Sequence, residues 1–382
     1  MMQKPTRPVT RLSPNGGDPL DELIDRAIEQ RVFTGISCGV WVDGHPKFSR
    51  YAGYTADPLD SAAAEPEPVT ERTLFDSASL TKPLATTLLV MKAVEASLID
   101  IGETIGYYLP DAGSRTAGIP IRTLLTHTSG MPAIPALERH FPTSAKLDRE
   151  AAIAGLLAIQ PDHRPGEHVC YSCTGYMLLG LILERTSGML IGDLYRKEIA
   201  EPLRLPSATF APGIGSVGEP IPIIGTAATE FCAWRNRRMR GQVHDESAYC
   251  LGGQAGNAGL FASLDDLSIM GSMLLQKGSV NGVRFLEEAS VADIMEEKTD
   301  GLEERRSFGF RLHEAGTFEG PMWGSSTLGH TGFTGTSIFI DPDRGLLSIV
   351  LANRVYYGRN ETAQKMADFR TTFHTQVFKN YC

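Results

Sequence analysis

The stretch Ser79-Leu80-Thr81-Lys82-Pro83, running into the apolar residues 84–94, decides how this chain reads. On a helix, side chains three apart share a face, so the Ser79 hydroxyl and the Lys82 amine can meet. A serine is a poor nucleophile until a neighbouring base takes its proton. A lysine is a good base only where burial or other cations lower its pKa. One turn therefore offers a nucleophile with its activator. Pro83 has no N–H for the carbonyl four residues back, and only the first four N–H groups of a helix go unused in this way. A helix over 84–95 thus begins no earlier than about Ser79, which puts the serine at the positive end of the helix dipole. Alone, the same residues also read as an N-cap serine followed by a solvated lysine.

Two further segments bear on that choice. Tyr171-Ser172-Cys173 precedes a second helical pattern, 176–186, closed by Gly188 in the place of a C-cap glycine. His330-Thr331-Gly332 precedes 337–340, whose alternation predicts a strand. With Ser-x-x-Lys, a tyrosine-led triplet and His-Thr-Gly in this order, the chain resembles the penicillin-recognising serine hydrolases. The branch is that of class C β-lactamases, D-alanyl-D-alanine carboxypeptidases and related esterases. Segments 124–131 (Leu-Leu-Thr-His-Thr-Ser-Gly-Met), 165–167 (Pro-Gly-Glu), 252–261 (glycine-rich) and 329–336 add to the resemblance, which runs from about Thr73 to Asn353.

The resemblance implies roles. Ser79 would be the acyl-forming nucleophile, and Lys82 and Tyr171 would share the proton work. Which of these two is the base stays open, since a free tyrosine titrates near 10 and needs a cation to act near neutral pH. The backbone amides of Ser79 and Phe333 would form the oxyanion hole. Cys173, His330, Thr331 and Gly332 would face the substrate. Two positions depart from the family pattern. Cys173 stands where asparagine is usual, and a thiol is a weak donor and acceptor, which tilts the reading towards ester substrates. His330 stands where lysine is common. As a histidine it predicts that β-lactam binding strengthens between about pH 8 and about pH 6, as the ring gains charge.

The remaining titratable residues receive ordinary readings. His127 is expected to serve as a structural hydrogen-bonding residue, and Asp245 to cap a turn or to orient a loop near the site. His244 has no neighbour at metal spacing, and His45, His140, His313 and His374 stand alone. Cys170 and Cys173 form a Cys-x-x-Cys, with His163 and His168 just upstream. That spacing also occurs in zinc sites, but all four crowd into one short span where zinc sites separate their ligand pairs. No metal and no other cofactor is expected. Six cysteines are too few for a disulfide scaffold. Cys38, Cys232 and Cys250 read as small buried apolar residues, and Cys382 as an exposed thiol. The first 18 residues lack the apolar core of a signal peptide, and no apolar run is long enough to span a membrane. A cytoplasmic enzyme is the expectation.

The 382 residues, 42% of them hydrophobic, suit a soluble globular fold with a large core. A net charge of −9 without a long basic run makes nucleic acid an improbable partner; the expected partner is a small ester or amide. The predicted fold is α/β (α+β), an antiparallel sheet flanked by helices with an inserted mainly helical domain. Residues 19–76 and 305–382 would form the sheet domain, and 77–304 the helical one that carries the nucleophile. Hairpins are expected around Asp43-Gly44 and Asp341-Pro342-Asp343-Arg344-Gly345. Helices are expected over 19–31, 84–97, 121–125, 149–159, 176–186, 191–199, 264–277 and 362–379, with Ser263 as an N-cap. Residues 57–68 read as an exposed loop and 210–223 as a second long loop. Arg235, Arg237, Arg238 and Arg240 read as a solvated basic turn, or else as a cleft rim favouring acidic substrates. No internal repeat is visible. The leading function is acyl-enzyme hydrolysis of small carboxylic esters, with β-lactam amides slower. A D-Ala-releasing peptidase, an acyltransferase and a non-catalytic binding protein of the same fold are the alternatives.

Overall fold

The computed structural model describes residues 9–12, 18–60, 65–211, 224–314, 316, 317, 320 and 322–382. Its centre is a seven-stranded antiparallel sheet. The strands are β1 (Val9–Leu12), β2 (Gly35–Val42), β3 (His45–Gly53), β4 (Arg311–Leu312), β5 (Leu328–Thr331), β6 (Ser337–Asp341) and β7 (Leu346–Ala352). Their order across the sheet is β1-β3-β2-β7-β6-β5-β4, so strands from the two ends of the sequence meet at the β2–β7 pair. The first hairpin turns at Asp43 and Gly44, both at positive φ, as a two-residue turn of this kind requires.

Both faces of the sheet are covered, and β7 shows how. Leu347, Ile349 and Leu351 enter one core, while Leu346, Val350 and Ala352 enter the other. Period-two alternation thus serves two apolar layers, and the strand is apolar almost throughout. On one side, α1 (Pro19–Glu29) and α5 (Ala363–Tyr381) supply Leu20, Ile24, Phe369 and Phe373. The buried Ser348 faces this layer and meets His374 Nδ1 at 3.0 Å, while Ser337 meets Nε2 at 3.3 Å. His374, which carried no expected role, is thereby a satisfied core residue.

The other face packs against the helical region, which includes α2 (Leu88–Glu95), α3 (Cys173–Ser187) and α4 (Leu264–Leu275). Asp18 caps α1, Ser172 caps α3, and Ser263 with Asp266 forms a capping box on α4. Gly188, at φ 70°, closes α3. One expectation about loops changes in part. In the segment expected as an exposed loop over 57–68, Asp57 is buried and accepts from Tyr357 Oη at 3.0 Å, and Asp60 accepts from Arg238 and Tyr356. Most of the second expected loop, 212–223, lies outside the described residues. No helix among the described residues is long and apolar enough to cross a membrane.

Candidate active site

Ser79 lies in a short helical turn, Ala78–Leu80, that leads through a wider π-helical turn, Lys82–Thr87, into α2. Pro83 lies in the first turn of the π segment, where its missing N–H costs least. Ala78 sits at φ 47°, held by a bond from its amide to the buried Asp76 Oδ1 at 2.8 Å. Asp76 pairs through the short strand Phe75–Asp76 with Leu260–Ala262, and its Oδ2 accepts the His244 amide at 2.6 Å. Burial raises the Asp76 pKa, with these two amides acting against it. The Ser79 turn is therefore fixed from behind by Asp76.

Lys82 is fully buried. Its Nζ donates to Ser79 Oγ at 3.1 Å and to the Asn257 carbonyl at 3.1 Å, and lies 4.8 Å from the centroid of the Tyr171 ring. Burial works to lower its pKa, but Cys173 and Tyr171 outweigh burial and the net shift is upward. Burial raises the Tyr171 phenol, opposed by the Lys82 ammonium and by a bond from the Ser79 hydroxyl. Gly256 brings Asn257 to this point: a Cβ there would lie 1.9 Å from the Tyr176 carbonyl oxygen of α3. Cys173 opens α3, its amide bonded to the Ala133 carbonyl.

His330 and Thr331 end β5, and Gly332 begins a turn that closes with the Gly335 amide on the Gly332 carbonyl at 3.1 Å. Thr334 Oγ1 donates to the Asp76 carbonyl at 2.8 Å and Thr336 Oγ1 to the Ser77 carbonyl at 3.0 Å, so the turn is bolted to the segment that leads into Ser79. Only glycine fits at 332, where a Cβ would meet Thr336 Oγ1 at 1.9 Å. The Phe333 amide bonds to no group among the described residues. Its ring, partly exposed, stacks on His244 at 5.5 Å with Arg354 at 4.7 Å.

His330 corrects an expectation. It is buried, its Nδ1–H donates to the Thr331 carbonyl, and burial together with Lys82 and Arg306 holds its pKa well below 6.5. A ring held well below 6.5 gains little charge across pH 8 to 6, which works against the predicted strengthening of β-lactam binding there. His127 matches its structural reading: Nδ1 accepts the Ser172 amide at 3.0 Å, and its ring lies 4.5 Å from that of Tyr171. Asp245 caps Glu246–Cys250 and also receives Asn257 Nδ2 at 3.4 Å, which joins the two readings given to it.

Of the four arginines of 235–240, only Arg237 is exposed, bonded to Gln242, as a solvated turn would have it; the other three are drawn into the fold. Arg235 is buried against the Val243 and His244 carbonyls, Arg238 bonds Asp60, and Arg240 bonds the Thr226 carbonyl and Thr55. Cations near the site come instead from residues that sequence reasoning passed over: Arg306, Arg311, Arg354 and Arg370. With Ser79, Tyr171 and His330 they line a cavity of about 330 Å3. A second cavity, about 420 Å3, shares Ser79, Tyr171 and Phe333 with the first and is lined by Ala133, Ile134, Pro135, Ala258 and Cys173 together with Glu138, Asp245 and Arg359. Cys38, Cys232 and Cys250 are buried, and Cys382 is exposed. No cluster of three or more His, Cys, Asp or Glu among the described residues is placed to hold a metal ion; His168 pairs with Glu303.

The β-lactamase family profile matches residues 20–372. The chain belongs to the β-lactamase family. It is 30% identical over 359 residues to an N-acetylmuramyl-L-alanine amidase of Bacillus subtilis (strain 168), covering 87% of this chain and 80% of the relative. A provisionally assigned D-alanyl-D-alanine carboxypeptidase of Salmonella agona (strain SL483) is also 30% identical, over 88% of this chain and 82% of its own length. A penicillin-binding-protein homologue from Caulobacter crescentus superposes with a TM-score of 0.74 at 18% identity, over 97% of this chain and all of that one. A hydrolase with promiscuous acyltransferase activity superposes at 0.70 and 21%, over 92% and 97%. The antiparallel sheet with its helical partner region is therefore the penicillin-binding-protein and β-lactamase fold, in a serine hydrolase family.

Proposed function

We propose that this family member hydrolyses small carboxylic esters through an acyl-Ser79 intermediate, with slower turnover of amides such as β-lactams. The observation that carries this is the buried Lys82 Nζ, 3.1 Å from Ser79 Oγ and set over the Tyr171 ring. Ser79 Oγ attacks the carbonyl carbon while its proton passes to the Tyr171–Lys82 pair. The oxyanion receives the amides of Ser79 and Phe333, each such donor contributing about 3 kcal/mol. The bond to the leaving alcohol then breaks and the pair returns the proton to it. Water repeats the sequence on the acyl-enzyme and frees the acid. The cavity containing Cys173 and Ile134 offers the acyl group an apolar wall, and no side-chain amide stands at 173 to recognise an acylamide.

A second reading, release of a leaving group that bears a carboxylate, as D-alanine does, is favoured by the four arginines beside His330-Thr331-Gly332. Labelling separates the two. A fluorophosphonate probe should label the wild type and not Ser79→Ala. Labelled penicillin should react poorly if esters are the substrates and well if the second reading holds. Failure of both reagents on the wild type would sink the enzyme reading.

A further inference from the structure

Gly332 and Phe333 share one peptide group, so whatever binds the Gly332 carbonyl oxygen also acts on the Phe333 N–H. Arg370, on α5, does this: its Nη2 donates to Gly332 O at 2.8 Å and to Thr336 O at 3.0 Å. Its Nε is sealed from solvent without a partner among the described residues. We infer that Arg370 is a positioning residue that clamps the 332–333 peptide and polarises it, so that the Phe333 amide is aimed and strengthened as an oxyanion donor.

Three observations support this. Both Arg370 bonds go to backbone carbonyls on either side of the Phe333 turn, which fixes the peptide plane. The Phe333 amide is otherwise uncommitted, while its neighbours Thr334 and Thr336 are tied to Asp76 and Ser77. A cationic donor on a carbonyl withdraws electron density through the amide, and hydrogen-bonded chains polarise one another by about 10–30% per bond. Charge-assisted bonds are also the stronger kind. Burial, then Arg354, pulls the Arg370 guanidinium down to about 9, which leaves it charged at neutral pH.

The inference rests on the acyl-Ser79 reading, and its test keeps the two apart. Arg370→Gln should lower kcat/KM for neutral p-nitrophenyl acetate by about tenfold to a hundredfold, less than the roughly 10²–10³-fold cost of deleting an oxyanion donor outright. KM should stay within about twofold, since the donor is aimed at the transition state. Arg370→Lys, which keeps a cationic donor, should recover much of the loss. An anionic half-ester, mono-p-nitrophenyl glutarate, should lose the same factor as the acetate. A loss confined to the half-ester would make Arg370 a substrate-anion ligand and overturn the inference. Carbonyl-13C glycine with 15N phenylalanine leaves two Gly-Phe peptides visible, 309–310 and 332–333. The Phe333 signal should move in both variants while that of Phe310 stays. An unmoved Phe333 signal overturns the inference whether or not esters are turned over. A wild type without esterase activity would defeat the proposed function alone.

Discussion

At the scale of single residues, the proposed reaction turns on a balance of protons between Lys82 and Tyr171. Both titrate above their ordinary values: Tyr171 because burial disfavours its phenolate, and Lys82 because Cys173 and Tyr171 outweigh the burial that would lower it. The form that can accept the Ser79 proton is the pair with one proton lost. Upward shifts place that form in the minority at neutral pH, so its population grows as pH rises. Log kcat/KM for a neutral ester should climb by about one per pH unit between about pH 6 and about pH 9. No bend is expected near 6.5, because His330 and His127 are already neutral there. A profile that levels off at 6.5 would assign the base to an imidazole instead. Tyr171→Phe should cost about 10²–10⁴-fold in acylation rate, the span of general acid–base catalysis, with KM little changed. Ser79, Lys82 and Tyr171 were legible because a helix turn and an ordered motif carry them. The charge state of His330 was not, since it depends on burial and on Lys82 and Arg306, far away along the chain.

Among the elements, close approaches decide more than propensity. The glycine-rich segment crosses α3 where Gly256 leaves no room for a Cβ, and this crossing delivers the Asn257 carbonyl to Lys82 Nζ. Gly256→Ala should destabilise the fold by about 1–3 kcal/mol, the usual cost of overpacking, and should lower acylation by displacing that carbonyl. Thermal melting beside ester kinetics checks both, and an unchanged rate in a destabilised variant would deny the Asn257 contact a part in activity. The hairpin at Asp43-Gly44, the Ser263 cap and the Gly188 stop were readable because their chemistry is local. The π turn at Lys82–Thr87 and the pairing of Phe75–Asp76 with Leu260–Ala262 were not, because tertiary partners set them. Arg235, Arg238 and Arg240 were misread for the same reason: Arg238 finds Asp60 across 178 residues of sequence.

For the whole molecule, the sheet and the helical region must hold Phe333 and Ser79 at a fixed separation, and buried charges do part of that joining. Glu230 accepts from His244 Nε2 at 2.8 Å and from Arg359 Nε at 2.6 Å, and Arg359 also reaches Glu246. His244 in turn stacks on Phe333. Burial opposes the Glu230 carboxylate, but its bonds to His244 and Arg359 prevail and its pKa falls from 4.5 to about 2. A carboxylate depressed in the folded state contributes stability above its unfolded pKa and loses it as pH falls through the folded value. Stability should therefore drop steeply from about pH 4.5 to about pH 2 as this junction protonates. Glu230→Gln should be less stable than the wild type at pH 7 and should show a shallower decline over the acid window. Denaturant unfolding at a series of pH values measures this, and parallel curves for the two proteins would remove Glu230 from the acid response. The same substitution frees His244 beneath the Phe333 ring, so ester turnover at pH 7 should fall along with stability while Ser79 remains open to fluorophosphonate. Loss of turnover with retained labelling would place the damage at the oxyanion turn and leave the nucleophile intact, as expected if the junction holds the two segments in register.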